Sequence, residues 1–273
     1  MAREAGQIQT VARAVLGPAF RFLWKVTTEG LDHVPSAGGA IIAPNHVAAI
    51  DSFFVPLVLP RRITYVGKAE YLDDWKTRLL FPAMGMIPID RSGGSASAAA
   101  LDAAAGILES GELFGIYPEG TRTRDGRLHR GRTGVARLAL RTGAPIVPTA
   151  LIGTDEVQPV DSPVPRVFRR VHIRFGRPIT VDRYADRPDD RLLLRQITDE
   201  VMFEIANLSG QEYVDTYAGA PVEAAAPVPG PAPAPTPRPA ERPSAHAEVA
   251  ERRSSTAVLQ ARPFDLDLEM ASA

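Results

Sequence analysis

The chain has 273 residues, 45% hydrophobic and 23% charged, the make-up of a globular protein with one large domain or two small ones. Its 31 basic and 32 acidic residues leave a net charge of −1, so no global field points to nucleic acid. With no cysteine and five histidines, disulfides, a thiolate nucleophile and Cys-ligated metal are excluded, and neither a metal site nor a cofactor is expected. In chain order, the first 25 residues predict a helix. Ile8, Val11, Ala12, Val15, Ala19, Phe22 and Leu23 share one arc of the wheel, and Thr10, Arg13, Gly17 and Arg21 lie opposite. Pro18 should kink it, and Phe20 and Trp24 fall toward its polar side. A cationic amphipathic helix of this kind suits a membrane interface or packing on its own domain. It carries no secretory signal pattern, and no stretch of the chain has the ~20 apolar residues of a spanning helix.

From Gly30 to Leu208 short apolar runs alternate with helical patterns. Gly39–Ala43, Ile63–Gly67, Leu113–Tyr117, Ile146–Leu151 and Val171–Phe175 read as buried strands. Asp51–Leu59, Ser95–Glu109, Thr133–Arg141 and Asp190–Leu208 read as helices. In the last, Leu193, Ile197, Val201 and Ile205 recur every four residues. This alternation predicts a single layered α/β domain with a mixed, largely parallel central sheet flanked by helices. From Gly219 onward 10 of 55 residues are Pro and 14 are Ala. Such a segment has too little apolar surface to offset the entropy of ordering it, so a disordered tail is expected.

Four blocks carry possible chemistry. Asn45-His46-Val47-Ala48-Ala49-Ile50-Asp51 joins a strand to a helix. Five positions apart on an ideal helix, His46 and Asp51 would sit about 140° from each other. They meet only if the chain turns between them, and then the carboxylate holds one ring nitrogen and leaves the other as a base. Gly85-Met86-Ile87-Pro88-Ile89-Asp90-Arg91 is an apolar run ending in a charged pair. Phe114-Gly115-Ile116-Tyr117-Pro118-Glu119-Gly120-Thr121-Arg122 runs from a strand into a turn that offers a carboxylate, a hydroxyl and a guanidinium, the last suited to phosphate. Gly143-Ala144-Pro145-Ile146-Val147-Pro148 looks structural. Gly126–Thr133 imitates a nucleotide-binding loop with Arg in place of Lys, but no apolar strand precedes it. Its arginines, with Arg122 and Arg124, form a basic cluster suited to phosphate or simply to solvent.

In this order and spacing the four blocks resemble the glycerophospholipid acyltransferase family over about Gly30 to Phe175. The resemblance implies transfer of an acyl group from a thioester, on CoA or acyl carrier protein, to the free hydroxyl of 1-acylglycerol-3-phosphate, giving phosphatidic acid. Glycerol 3-phosphate or a glycolipid as acceptor, and thioester or ester hydrolysis, stay open. His46 is implied as general base and Asp51 as its orienter. Asn45, Arg91, Glu119, Gly120, Thr121 and Arg122 are implied on the substrate side. Tyr117 stands where the family commonly has Phe. No covalent nucleophile is evident, and backbone N–H groups near His46 are the expected oxyanion donors. The resemblance favours the membrane reading of the N-terminus and a peripheral or monotopic place on the cytoplasmic face. The expected organisation is a helical membrane-association segment over 1–29, an acyltransferase domain over 30–218 and a tail over 219–273.

Overall fold

The computed structural model describes residue 14 and residues 17–68, 85–89, 96–160, 162–184, 187 and 190–219. Asp90, Arg91, most of the N-terminal arc and the tail beyond Gly219 lie outside these residues.

The five expected strands form, with small shifts at their ends, and four more join them. In chain order the strands are β1 (Lys25–Glu29), β2 (Ala40–Pro44), β3 (Ile63–Lys68), β4 (Met86–Ile89), β5 (Leu113–Gly115), β6 (Leu128–His129), β7 (Ile146–Ile152), β8 (Arg170–Phe175) and β9 (Tyr213–Val214), of which β1, β4, β6 and β9 are not among the expected five. Seven of them build one sheet in the order β1-β8-β7-β2-β5-β3-β4, and β6 pairs with β9 apart from it. Strands β7, β2, β5, β3 and β4 run parallel, β8 is antiparallel to β7, and β1 is parallel to β8. The sheet is therefore mixed and largely parallel, as the alternation predicts. The helices are α1 (Asp51–Val58), α2 (Ala96–Glu109), α3 (Gly134–Thr142), α4 (Thr154–Val157) and α5 (Arg191–Ser209).

Strand β2 lies at the centre and is buried along its whole length. Successive side chains point to opposite faces, so Ile41 and Ala43 join one apolar cluster and Ala40 and Ile42 the other. The first cluster takes in α2, α3 and α5, including all four residues of the Leu193–Ile205 stripe. Asp190 starts α5 by accepting the N–H of Leu192 and Leu193, a cap whose loss typically costs about 1 kcal/mol. The second cluster takes in α1 together with Trp24.

The boundary at residue 29 needs correction. Lys25–Glu29, expected in the N-terminal helical segment, is the edge strand β1 and pairs with β8 from Lys25↔Arg170 to Glu29↔Arg174. Its mostly exposed Lys-Val-Thr-Thr-Glu sequence lacks the apolar run of a buried strand, and charged ends are common on sheet edges. The phase of the preceding helix also differs. Residues 17–23 are helical, but Phe20 and Trp24 turn inward. Their rings pack on Phe54 of α1 at 5.4 and 5.7 Å, while Phe22 points outward. Among the described residues no helix is long and apolar enough to cross a membrane.

Candidate active site

The strand β2 ends at Pro44, and residues 45–50 turn into α1. In that turn His46 Nδ1 lies 2.9 Å from Asp51 Oδ2, so the chain does fold back as the pair requires. The same oxygen accepts the N–H of Val47 and of Ala48, both at 2.8 Å. Asp51 is fully buried. An acceptor held by two backbone donors cannot swing away, which favours the tautomer with the proton on Nδ1 and the lone pair on Nε2. The imidazole keeps 15% exposure.

The turn after β5 is bolted to His46. Glu119 Oε2 accepts the His46 N–H at 3.1 Å, and the N–H of Thr123 donates to the His46 carbonyl at 2.9 Å. Glu119 Oε1 accepts the N–H of His129 at 2.9 Å. Gly120 holds φ at 77°, a region that side-chain-bearing residues disfavour. A Cβ there would also stand 2.9 Å from Arg132 Nε. Thr121 and Arg122 emerge from this turn exposed. Tyr117, one residue before the Pro-Glu-Gly turn, lies flat on the imidazole with ring centroids 3.8 Å apart and planes 15° apart. Its hydroxyl is bonded to Ser52 at 3.2 Å. Tyr65 stacks behind it at 5.8 Å and occupies the space a side chain at Gly115 would need. Burial pushes both phenols up, so they stay neutral beside Asp51.

Two expected substrate contacts turn out to be structural. Asn45 is buried, donates to the Leu151 carbonyl at 3.1 Å and to Gln211 at 2.7 Å, and accepts the Leu151 N–H at 2.7 Å. It clamps the ends of β2 and β7 together. Glu119 is buried with both oxygens on backbone N–H groups and so shapes the turn. Of the backbone N–H groups near His46, those of His46, Val47, Ala48 and Ile50 are bonded to Glu119, Asp51, Asp51 and the Gln158 side chain. The basic cluster is broken up by pairing: Arg127 with Asp125, Arg130 with Asp215 and with the Tyr217 ring. His129, buried like Glu119, bonds Asp125 at 3.0 Å. Burial pushes Asp125 up, but bonds from Thr123, His129 and Arg127 outweigh it and hold this carboxyl well below the usual range. Arg91 lies outside the described residues. The sequence reading noted Tyr117 only as a departure and missed Ser52, Tyr65 and Gln211; an aromatic before Pro-Glu-Gly was the one available signal.

Burial is the largest influence on Glu119 and raises its carboxyl to about 7, against the two backbone N–H groups that favour the anion. A folded-state value above the unfolded one means this group stabilises the fold below pH ~4.5 and that the contribution is lost as pH rises toward 7. The shift corresponds to about 3 kcal/mol. Glu119→Gln, which cannot ionise, should therefore show a flatter stability profile between pH 5 and pH 8 in urea titrations. A profile parallel to wild type would remove Glu119 as the source.

The described residues thus form a layered α/β domain in which a buried carboxylate holds an imidazole at the carboxyl end of the central strand. Residues 25–152 match the model of the acyltransferase family. It is 33% identical over 173 residues to a 1-acyl-sn-glycerol-3-phosphate acyltransferase of Limnanthes douglasii, covering 60% of this chain and 58% of that one. It is 30% identical over 131 residues to the enzyme of the same name from Borreliella burgdorferi, covering 48% and 52%. The chain spans about half the length of the curated relatives it matches. The fold is similar to the crystal structure of the 1-acyl-sn-glycerophosphate acyltransferase PlsC from Thermotoga maritima. The TM-score is 0.56 and the identity 21%, over 76% of this chain and 78% of that one.

Proposed function

We propose that the chain transfers an acyl group from a thioester to the free hydroxyl of 1-acylglycerol-3-phosphate, giving phosphatidic acid. The observation that carries this reading is the 2.9 Å His46–Asp51 contact, set between two turns that hold His46 by both its backbone groups. His46 Nε2 takes the proton from the acceptor hydroxyl as its oxygen attacks the thioester carbonyl. The C–O bond forms, the C–S bond breaks, and the thiolate leaves and receives that proton. Asp51 supports the transient imidazolium. The donor is a CoA or acyl-carrier-protein thioester, and the chain works peripherally or monotopically on the cytoplasmic face of a membrane, the side such a water-soluble donor reaches. The names of the relatives support the acceptor.

The test is purified protein with labelled acyl-CoA and a panel of acceptors. The expected result is label in phosphatidic acid, with 1-acylglycerol-3-phosphate preferred over glycerol 3-phosphate and glycolipid. Free fatty acid in place of a lipid product would mean hydrolysis, and would overturn the reading. Arg122, exposed on the turn beside His46, is the guanidinium we assign to the acceptor phosphate. Arg122→Lys keeps the charge but loses the two-pronged grip. It should raise the KM for the acceptor about tenfold and leave the KM for the thioester near wild type. Equal shifts in both would place Arg122 in loop packing instead.

A further inference from the structure

The same end of the sheet carries a second feature that acyl transfer does not use. Strand β8 is antiparallel to β7, and β1 is parallel to β8. The start of β8, the start of β1 and the helical residues 17–23 therefore all lie at the carboxyl end of β2, where His46 sits. Strand β8 is two places from β2 in the sheet, about 10 Å. The connection into β8 over residues 162–169 carries exposed apolar side chains: Val164 is 67%, Val167 44% and Phe168 66% exposed. Phe22, on the adjoining helix, is 77% exposed.

These side chains are not outward because the backbone is slack. The Arg166 N–H donates to the Val157 carbonyl at 2.7 Å, and the Phe168 N–H to the Leu23 carbonyl at 2.6 Å. The Trp24 indole donates to the Arg166 carbonyl at 2.8 Å, and the Lys25 N–H to the Arg169 carbonyl at 3.0 Å. Loop and helix are thus one surface. Phe168 is also the non-glycine residue with positive φ among the described residues, at 59°. An aromatic residue in the left-handed region is unfavourable, yet here that conformation delivers the ring to solvent. Around the apolar tip stand Arg21, Lys25, Arg166, Arg169 and Arg170, all exposed. Asp155 and Glu156 are the exposed carboxylates of the neighbouring α4, and Glu29 is paired with His172 and Arg174. Behind the tip lies a recess bordered by Ile152, Glu156, Phe168, Arg169, Arg170 and His172.

An aromatic and aliphatic tip collared by cations matches one surface, a bilayer rich in anionic phospholipid. The tip enters the acyl boundary and the guanidinium groups pair with headgroup phosphates. We propose that residues 162–170, together with the outer face of the helix over 17–23, form an anionic-lipid-binding surface that holds the His46 end of the sheet against the membrane. This deepens the membrane part of the proposed function but does not depend on the acyl-transfer step.

The experiment is co-sedimentation of the full chain with vesicles of phosphatidylcholine alone or mixed with phosphatidylglycerol. Wild type should favour the mixed vesicles and lose binding in high salt. Phe168→Gly removes the ring and suits the left-handed backbone, so it should weaken binding about tenfold while thermal stability holds or rises. Arg166→Gln with Arg169→Gln should cost about fivefold per arginine on mixed vesicles and little on phosphatidylcholine. Wild-type binding by folded Phe168→Gly would overturn the proposal, and so would a stability loss that tracks the binding loss. Displacement of wild type from vesicles by glycerol 3-phosphate or inorganic phosphate would mean a single-phosphate site, and would also overturn it. Acyl transfer is scored separately on detergent-solubilised acceptor. Its absence in wild type would fail the catalytic reading and leave vesicle binding to judge this one.

Discussion

His46→Ala should lower kcat for acyl transfer by about 10²–10⁴-fold, the range a positioned general base contributes. The imidazole is the group set to receive the hydroxyl proton, and nothing in the surrounding stack can replace it. Tyr117 and Tyr65 are neutral phenols held high by burial, and Glu119 is turned onto backbone N–H groups. The fold should survive. Asp51 keeps the Val47 and Ala48 donors, and the lost stacking against Tyr117 is worth about 0.5–1.5 kcal/mol. For a domain of this size that is a drop of a few degrees in Tm. The check is steady-state kinetics beside a thermal melt. A folded variant with an undiminished rate would take His46 out of the chemistry.

Asp51→Asn should be nearly as damaging, for a different reason. Its volume and its ability to accept from Val47 and Ala48 are preserved, so the turn should close as before. With the amide oxygen on the Val47 and Ala48 N–H groups, that same oxygen still accepts from His46 Nδ1, so the ring orientation holds. What is lost is the charge that supports imidazolium. We expect kcat to fall about 10²–10⁴-fold with a much smaller change in KM, the signature of an interaction made in the transition state. Imidazole ¹⁵N shifts check that the geometry is kept, with the proton on Nδ1 in both proteins. A normal kcat would mean that the carboxylate only caps the turn.

Local pattern carried much of this protein. The stripe from Leu193 to Ile205 could only be a helix with one buried face, and Asp190 announced its start. The apolar runs of β2 and β7 could only be buried strands, because nothing else hides so many consecutive Ile, Val and Ala residues. Their alternation with helices implied parallel pairing. The His46–Asp51 contact was legible too, because the pair sits within a few residues of sequence at a strand-to-helix turn.

Polar and long-range roles were not legible. The edge strand β1 carries no apolar periodicity, since one side of it has no neighbour and its exposed side chains face water. The helix over 17–23 has two apolar faces, and the wheel alone could not say that Phe20 and Trp24, and not Phe22, would meet Phe54. Asn45 and Glu119 look like substrate contacts in the sequence because both bear hydrogen-bonding groups beside a reactive histidine. Their partners, Leu151 at 106 positions away and His46 at 73, appear only when the strands are side by side. So the sequence by itself determined the α/β class, the strand-to-helix turn and the residue types at its mouth, which are properties of short stretches of chain. The tertiary structure decided which polar groups are spent on holding that turn and which remain for a substrate. Most buried donors and acceptors find a partner, and for Asn45 and Glu119 the partners come from segments far away in the chain.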